Sequence, residues 1–277
     1  MKFRLVFGLL LFIRFGAVGQ QLPAIGGWRD HLPLQQVIAV GYDAGTVKAA
    51  ARNGIFTYDT EKKEFGRLSK SSGLSEVNIK TVAFSPVRSQ TLVVYENGNM
   101  DLITGDRINN IPDILISRAA AAKRINHVLW DGKTAYLSSD QGIIVLDTER
   151  RLILATYRPS PDGGDVRVLQ TAIHENRLFA ATPSGLWHCG LNAAQLADFR
   201  NWRTEKIGSS ALPPVAIVSR DKDFFALRND SLFVRSASGW SSYYSSSSTI
   251  TFIQATRNDL FIGTSLNGKV SILQFGT

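Results

Sequence analysis

The sequence is poor in cysteine and histidine, and outside its first residues it has no long apolar run. The single cysteine, Cys189, excludes an intramolecular disulfide and is predicted to be a small core residue of an apolar strand. The four histidines are scattered without metal-ligand spacing, so the sequence predicts no metal site. No later stretch approaches the roughly 18 apolar residues of a membrane-spanning helix.

Catalytic signatures are also missing. Gly132-Lys133-Thr134 ends like a phosphate-binding loop, but the first glycine of that motif would fall at His127. Asp162-Gly163-Gly164-Asp165 lacks the alternating ligands and the distal glutamate of a calcium loop. The chain contains no Gly-x-Ser-x-Gly elbow. These observations predict a non-catalytic protein without a cofactor.

The charge of the chain indicates which classes of partner it could bind. The formal net charge is +8, and about +5 without Lys2, Arg4 and Arg14 of the N-terminal segment, which permits an anionic partner without demonstrating one. Basic residues are spread along the chain and are not interleaved with aromatic residues on one face, which argues against nucleic-acid binding.

The first 19 residues have the pattern of a signal peptide. Lys2 and Arg4 precede an apolar run at residues 5–13, and Ala17-Val18-Gly19 offers small residues for cleavage. No cysteine follows the run, which argues against a bacterial lipid anchor. We therefore expect an exported protein, at the cell surface or in the periplasm, with residues 1–19 removed and residues 20–277 forming the folded domain.

The clearest positive feature is a repeated turn. Each copy places Gly, or once Asp, between a strand-like segment and an alternating one, and the copies are 38 to 45 residues apart. A repeat of this length with several strands is typical of a β-propeller blade. Gly and Asn suit such a turn because they tolerate positive φ. The register positions are 54, 98, 142, 185, 230 and 268.

The repeats predict an all-β propeller with six four-stranded blades. The sixth repeat lacks an outer strand, whereas residues 28–31, around Trp28, read as a strand without a repeat of their own. We therefore expect the N-terminal strand to complete the last blade, next to residues 270–275, and to close the ring. For the second blade, residues 114–117 are the expected outer strand. An incomplete seven-bladed propeller and a two-sheet sandwich are the alternatives.

The repeated turns also supply the candidate binding residues. In a propeller the turns between second and third strands share one face with the connections that lead into the inner strands. We expect polar side chains there to surround the mouth of the channel, with two arginines able to hold an anionic glycan or a protein. The alternative explanation is that asparagine occurs there only because it tolerates positive φ. The candidates are Asn53, Asn97, Asn99, Gln141, Asn229, Asn267, Arg52 and Arg228.

Several segments, in this order and spacing, resemble one known family. They include Trp28-Arg29-Asp30-His31-Leu32, Ser72-Gly73-Leu74-Ser75, Asn97-Gly98-Asn99-Met100-Asp101-Leu102-Ile103 and Ile108-Asn109-Asn110-Ile111-Pro112-Asp113-Ile114. The sequence looks like the N-terminal propeller of PorZ-type surface proteins of the type IX secretion system of Bacteroidota. The resemblance is dense over residues 26–158 and thinner afterwards.

The resemblance implies a function. Members of that family have two propellers and a C-terminal β-sandwich, and the likeness here covers a first propeller. They act with a sortase and other secretion proteins at the outer membrane, and are implied to present anionic lipopolysaccharide to the sortase. The expected function is therefore a binding and scaffold module. A ligand-sensing propeller of a two-component regulator is the alternative, and an enzyme is the third possibility because fold alone excludes no chemistry.

Overall fold

The architecture was analysed in a computed structural model, which describes residues 36–43, 45–85, 88–118, 123–208, 212–256 and 258–276. These residues form 23 strands arranged in six antiparallel sheets that follow one another along the chain. Within each sheet the strands are hydrogen-bonded in sequence order, from an inner strand outwards. Six consecutive sheets of this kind are the blades of a six-bladed β-propeller, as the repeat predicts.

The first three blades have four strands each. Their strands are β1 (Val37–Asp43), β2 (Thr46–Ala51), β3 (Gly54–Asp59), β4 (Glu64–Leu68), β5 (Ile79–Phe84), β6 (Gln90–Tyr95), β7 (Met100–Thr104), β8 (Arg107–Ile111), β9 (Ile125–Asp131), β10 (Thr134–Ser139), β11 (Gly142–Asp147) and β12 (Leu152–Tyr157).

The fourth and fifth blades also have four strands, and the sixth has three within the described residues. Their strands are β13 (Gln170–His174), β14 (Arg177–Thr182), β15 (Gly185–Gly190), β16 (Arg203–Glu205), β17 (Ala216–Arg220), β18 (Asp223–Arg228), β19 (Ser231–Ser236), β20 (Gly239–Ser245), β21 (Thr249–Ala255), β22 (Leu260–Leu266) and β23 (Lys269–Phe275). The closing strand that the sequence predicts at residues 28–31 lies outside the described residues.

Helices are few and short. Within the described part of the chain the two α-helices are α1 (Asp113–Ile116) and α2 (Ala193–Ala197), and Lys70–Ser72 and Phe199–Asn201 form single 3-10 turns. The Asn192 side chain accepts a hydrogen bond from the Ala194 N–H at 3.0 Å, which caps α2. All four helices lie in connections around the sheets.

The prediction that residues 114–117 form the outer strand of the second blade is wrong. Residues 113–116 are helical, and the fourth strand is β8, which pairs with β7 in the register Ile103 opposite Ile108. Gly105, at φ 57°, makes the tight turn between these strands. Pro112 then ends the pairing, because proline has no N–H to donate to a ladder.

The core consists of apolar clusters between successive blades. Leu92, Val94 and Met100 of the second blade, for example, pack with Val128 and Leu137 of the third, and all are buried. Four similar clusters join the other neighbouring blades, from the first to the sixth. At roughly 1.5–3 kcal/mol for each buried aliphatic side chain, these clusters are the main stabilising contribution.

The register turns adopt the conformation that their residues favour, with one exception. Gly98, Gly142, Gly185, Asn229 and Asn267 all have positive φ. Gly54 does not, and there the glycine is required for space. A Cβ at position 54 would lie 2.7 Å from the backbone oxygen of Leu68.

Candidate functional site

One face of the propeller carries both the register turns and the connections into the inner strands. Backbone hydrogen bonds join the two: Ile79 N–H donates to the Arg52 oxygen at 2.7 Å, Glu96 N–H to Asn78 at 3.1 Å, and Val168 N–H to Ser139 at 2.8 Å. We call this the upper face, and the face with the other hairpin turns the lower face. Each upper turn therefore lies beside an inner strand of its own or the next blade.

The candidate side chains differ in exposure. Arg52, Asn97, Asn229 and Asn267 are exposed, and Asn53, Gln141 and Arg228 are partly buried. Asn99 is only 3% exposed, and its Oδ1 accepts hydrogen bonds from Asn110 Nδ2 at 2.9 Å and from its neighbour Met100 N–H at 3.0 Å. The candidate residues thus lie in turns on one face. The Asn99 side chain is an exception in its role, because it stabilises its own turn and does not face solvent.

Arg52 belongs to a three-residue ion-pair cluster. Its Nη2 lies 3.2 Å from Glu96 Oε1, and Lys80 Nζ lies 3.5 Å from the same oxygen. Two basic groups share one carboxylate, so the cluster keeps a net positive charge. The Arg52 side chain is about half exposed, at 52%, so its guanidinium is accessible from above the turn.

A second cluster lies at the corresponding turn of the third blade, where the uncharged Asn126 stands in place of Lys80 and the cluster is neutral. Asp140 Oδ1 lies 3.3 Å from Arg167 Nε and accepts a hydrogen bond from Asn126 Nδ2 at 3.0 Å. Asn126 Nδ2 also donates to the Val168 oxygen at 2.8 Å, which ties the third blade to the chain entering the fourth. Arg167 is 51% exposed, close to the value for Arg52.

β-Bulges explain why Lys80 and Asn126 reach the turns. The pairing of inner and second strands shifts by one residue at the same place in four blades. A bulge leaves one extra residue outside the ladder and re-aims its side chain. The four extra residues are Ile38, Lys80, Asn126 and Thr251. Sequence reasoning missed them because a bulge has no strong local signature.

Arg228 is held differently from Arg52. Its Nη1 donates to the Ile207 backbone oxygen at 2.6 Å, and its Cζ lies 4.3 Å from the centre of the Phe233 ring. A guanidinium over an aromatic face is attracted by the ring quadrupole. Arg228 therefore anchors the connection between the fourth and fifth blades, and its side chain is partly buried.

A buried polar network lies behind the Asn97–Gly98 turn. Asp101 is fully buried and accepts hydrogen bonds from Ser75 N–H at 2.8 Å, Ser75 Oγ at 2.6 Å, Asn110 Nδ2 at 3.0 Å and the Tyr95 hydroxyl. Burial, and next the hydrogen bond to the Asp101 carboxylate, raise the pKa of Tyr95 far above its usual range. The network has four donors for one carboxylate, so it fixes structure and offers no free base.

The histidines and the cysteine are held in the fold. Burial lowers the pKa of His174 and His188, and raises that of the buried Cys189 thiol, which makes the thiolate rare at neutral pH. His174 Nδ1 lies 3.0 Å from Ser219 Oγ. Among the described residues, no three His, Cys, Asp or Glu side chains are grouped so that they could hold a metal ion.

The described residues also contain no helix that is long and apolar enough to cross a membrane.

Comparisons with known proteins place the chain among propellers. The sequence model of the PorZ N-terminal β-propeller domain of the type IX secretion system matches residues 47–203. A search of curated proteins gave no match.

Solved structures show similar folds. PorZ of Porphyromonas gingivalis, described as an essential bacterial surface component of the type IX secretion system, superposes with a TM-score of 0.75 at 22% identity, covering 89% of this chain and 33% of PorZ. The extracellular domain of a protein described as the hybrid two-component system BT3049 of B. thetaiotaomicron gives 0.62 at 17% identity, covering 87% and 34%. The WD40 domain of Neurospora crassa Pan2 gives 0.62 at 8% identity, covering 85% and 74%. The chain thus spans about a third of the length of the first two proteins, and these likenesses show the fold alone.

Proposed function

Because the chain belongs to the family of PorZ N-terminal β-propeller domains, we propose that it is a non-catalytic binding and scaffold module of a type IX secretion system at the cell surface. The observation that carries the proposal is the family match over residues 47–203. This range includes the register turns of the first four blades and both ion-pair clusters of the upper face. In this proposal residues 1–19 are a signal peptide that directs export and is cleaved off near Gly19-Gln20.

The upper face is the proposed contact surface. Arg52 and Arg167 are half exposed, and each is oriented by a carboxylate from a turn, so their positions are set before a ligand arrives. Preorganised guanidinium groups suit phosphate and carboxylate groups because they form charge-assisted hydrogen bonds. We propose that these residues help to hold anionic lipopolysaccharide and present it to the sortase and other secretion proteins of the outer membrane.

Deleting the gene in its own bacterium tests the function. A scaffold of the secretion system predicts that cargo proteins fail to reach the surface and accumulate inside the cell, and that the wild-type gene restores export. Normal cargo export in the deletion strain would contradict the proposal.

The second candidate is a ligand-sensing propeller, which the likeness to the BT3049 extracellular domain favours. A sensor predicts a different phenotype in the same strain. Cargo export would remain normal, while transcription would no longer respond to one nutrient or glycan. Measuring cargo export and the transcriptome together separates the two functions.

A further inference from the structure

Three Asn-Gly steps occur in the chain, at residues 53–54, 97–98 and 267–268, and all three lie at register turns of the upper face. An Asn-Gly step is chemically unstable in water, because glycine has no side chain to shield its backbone nitrogen from the neighbouring asparagine amide. Attack of that nitrogen on the side-chain carbonyl converts asparagine to aspartate or isoaspartate. The surroundings of each turn decide which of the three steps can react.

Two of the steps are packed in the fold. Gly98 is buried, its N–H donates to the Tyr95 oxygen at 3.0 Å, and Asn97 Oδ1 accepts a backbone hydrogen bond within the turn at 3.0 Å. Gly54 is buried as the first residue of β3, where it pairs with Ala51 in the β2–β3 ladder. The rotation that brings the glycine nitrogen to the asparagine side chain would break these contacts.

The third step lies at the tip of a hairpin that is longer than its counterpart in the first blade. The bulge between the inner and second strands falls at Ala51 in the first blade and at Thr264 in the sixth, so these positions correspond. The first blade turns back directly after Ala51, whereas the sixth continues with two further pairs, formed by residues 265–266 with 269–270. At about 3.3 Å per residue, the tip at residues 267–268 reaches roughly 7 Å further out.

This tip is exposed and unpacked. Asn267 and Gly268 are both exposed, and a Cβ at Gly268 would meet no atom of the described residues within 4 Å. The second blade contacts the first-blade turn at the Arg52 oxygen, which accepts from the Ile79 N–H and corresponds to position 265. A neighbouring blade at the same level would therefore meet this hairpin below its tip. The turn can rotate without displacing packed atoms.

From the length and exposure of this hairpin we propose that Asn267 is a site of spontaneous deamidation. The Gly268 nitrogen forms a bond to Asn267 Cγ and loses its proton, and the side-chain nitrogen leaves with a proton as ammonia, which gives a cyclic imide. Water then opens the ring: attack at Cγ gives aspartate, and attack at the backbone carbonyl gives isoaspartate. Either product adds a negative charge to the upper face. The reaction does not depend on lipopolysaccharide binding.

Peptide mass spectrometry tests the site, after incubation of the purified full chain in mildly alkaline buffer. Digestion in mild acid prevents further reaction during the measurement. Conversion should be about tenfold or more faster at Asn267 than at Asn53 and Asn97, because their turns must first open. The urea-unfolded chain is the matched control. There the three steps share the same local chemistry and should react at similar rates.

A variant isolates the reactive amide. Asn267→Gln keeps an uncharged amide, but its additional methylene group makes ring closure much slower. During incubation the wild type should develop a more acidic component in ion-exchange chromatography that carries the change at Asn267, and Asn267→Gln should not. Melting temperatures check that both proteins are folded.

Two results would overturn the proposal. One is an Asn267 that stays intact in the folded protein while the unfolded chain reacts. The other is a folded protein in which Asn53 or Asn97 reacts as fast as Asn267.

Discussion

Asp101 accepts four side-chain and backbone hydrogen bonds in the second blade, and its loss would leave the Tyr95 hydroxyl and the Ser75 groups without this acceptor. Replacing it by alanine removes the acceptor for Ser75, Asn110 and the buried Tyr95 hydroxyl. We predict that Asp101→Ala lowers the free energy of unfolding by roughly 3 kcal/mol or more, measured by urea denaturation. Asp106→Ala, in the exposed turn between β7 and β8, is the control and should change it by less than about 0.5 kcal/mol. Equal effects would contradict this role.

His127 makes stability depend on pH. Its Nδ1 is buried without a hydrogen-bond partner among the described residues, and burial lowers the pKa of the ring from 6.5 to about 4. Between these values the unfolded chain binds a proton that the folded chain does not. Stability is therefore full above about pH 6.5 and is lost as the pH falls towards 4, by up to roughly 3 kcal/mol.

Replacing this ring by one that does not titrate isolates the effect. His127→Phe should lose less free energy of unfolding than the wild type between pH 7 and pH 4.5. Urea titrations at the two pH values measure the difference. Burial also lowers the pKa values of His174 and His188. Their effect on the pH dependence of stability is the same in both proteins and cancels in the comparison. An identical loss in the two proteins would refute the assignment to His127.

At the scale of one blade, Gly54 links the register turn to the outer strand. A methyl group at this position would lie 2.7 Å from the Leu68 oxygen, and that atom belongs to the backbone, so it moves only with β4. We predict that Gly54→Ala lowers the free energy of unfolding by about 1–3 kcal/mol. Gly276→Ala, whose added methyl group would lie 3.8 Å from an Asp259 carboxylate oxygen, is the control and should be nearly neutral in the same thermal or urea melt. A neutral Gly54→Ala would show that β4 shifts freely.

Blade elements were predictable from sequence where the signal is local. The register turns follow from Asn and Gly, whose backbone preference is a property of the residue itself, as positive φ at Asn229 and Asn267 shows. The prediction of the outer strand of the second blade was wrong because the segment with Ile114 and Ile116 resembles a strand in composition. The turn at Gly105 and the stop at Pro112 decided the actual boundary.

The polar clusters of the upper face could not be predicted, because they join residues far apart in sequence. Arg52 and Glu96 are 44 positions apart and meet only when two blades are packed side by side. Lys80 and Asn126 reach their turns through bulges, which the apolar alternation does not reveal. The predicted site residues lie in turns that share one face. Asn99, however, is buried, and Arg228 contacts the Phe233 ring and the Ile207 backbone oxygen.

For the whole molecule, repeat length and family resemblance predicted a six-bladed propeller of PorZ type, and both are confirmed. Ligand binding and the signal peptide remain predictions.

Binding of anionic lipopolysaccharide to the upper face tests the account most directly. The variant Arg52→Ser/Arg167→Ser removes both half-exposed guanidinium groups there. The control, Lys62→Ser/Arg150→Ser, removes two basic groups on the lower face that are likewise each paired with one carboxylate. Affinity is measured for purified lipopolysaccharide at several salt concentrations, with melting temperatures for both variants.

The account predicts that the upper-face variant binds about tenfold more weakly, equivalent to ~1.4 kcal/mol, and depends less on salt, while the control variant binds like the wild type. Equal affinities for wild type and both folded variants, or an equal loss in the two variants, would contradict the claim that the upper face is the binding surface.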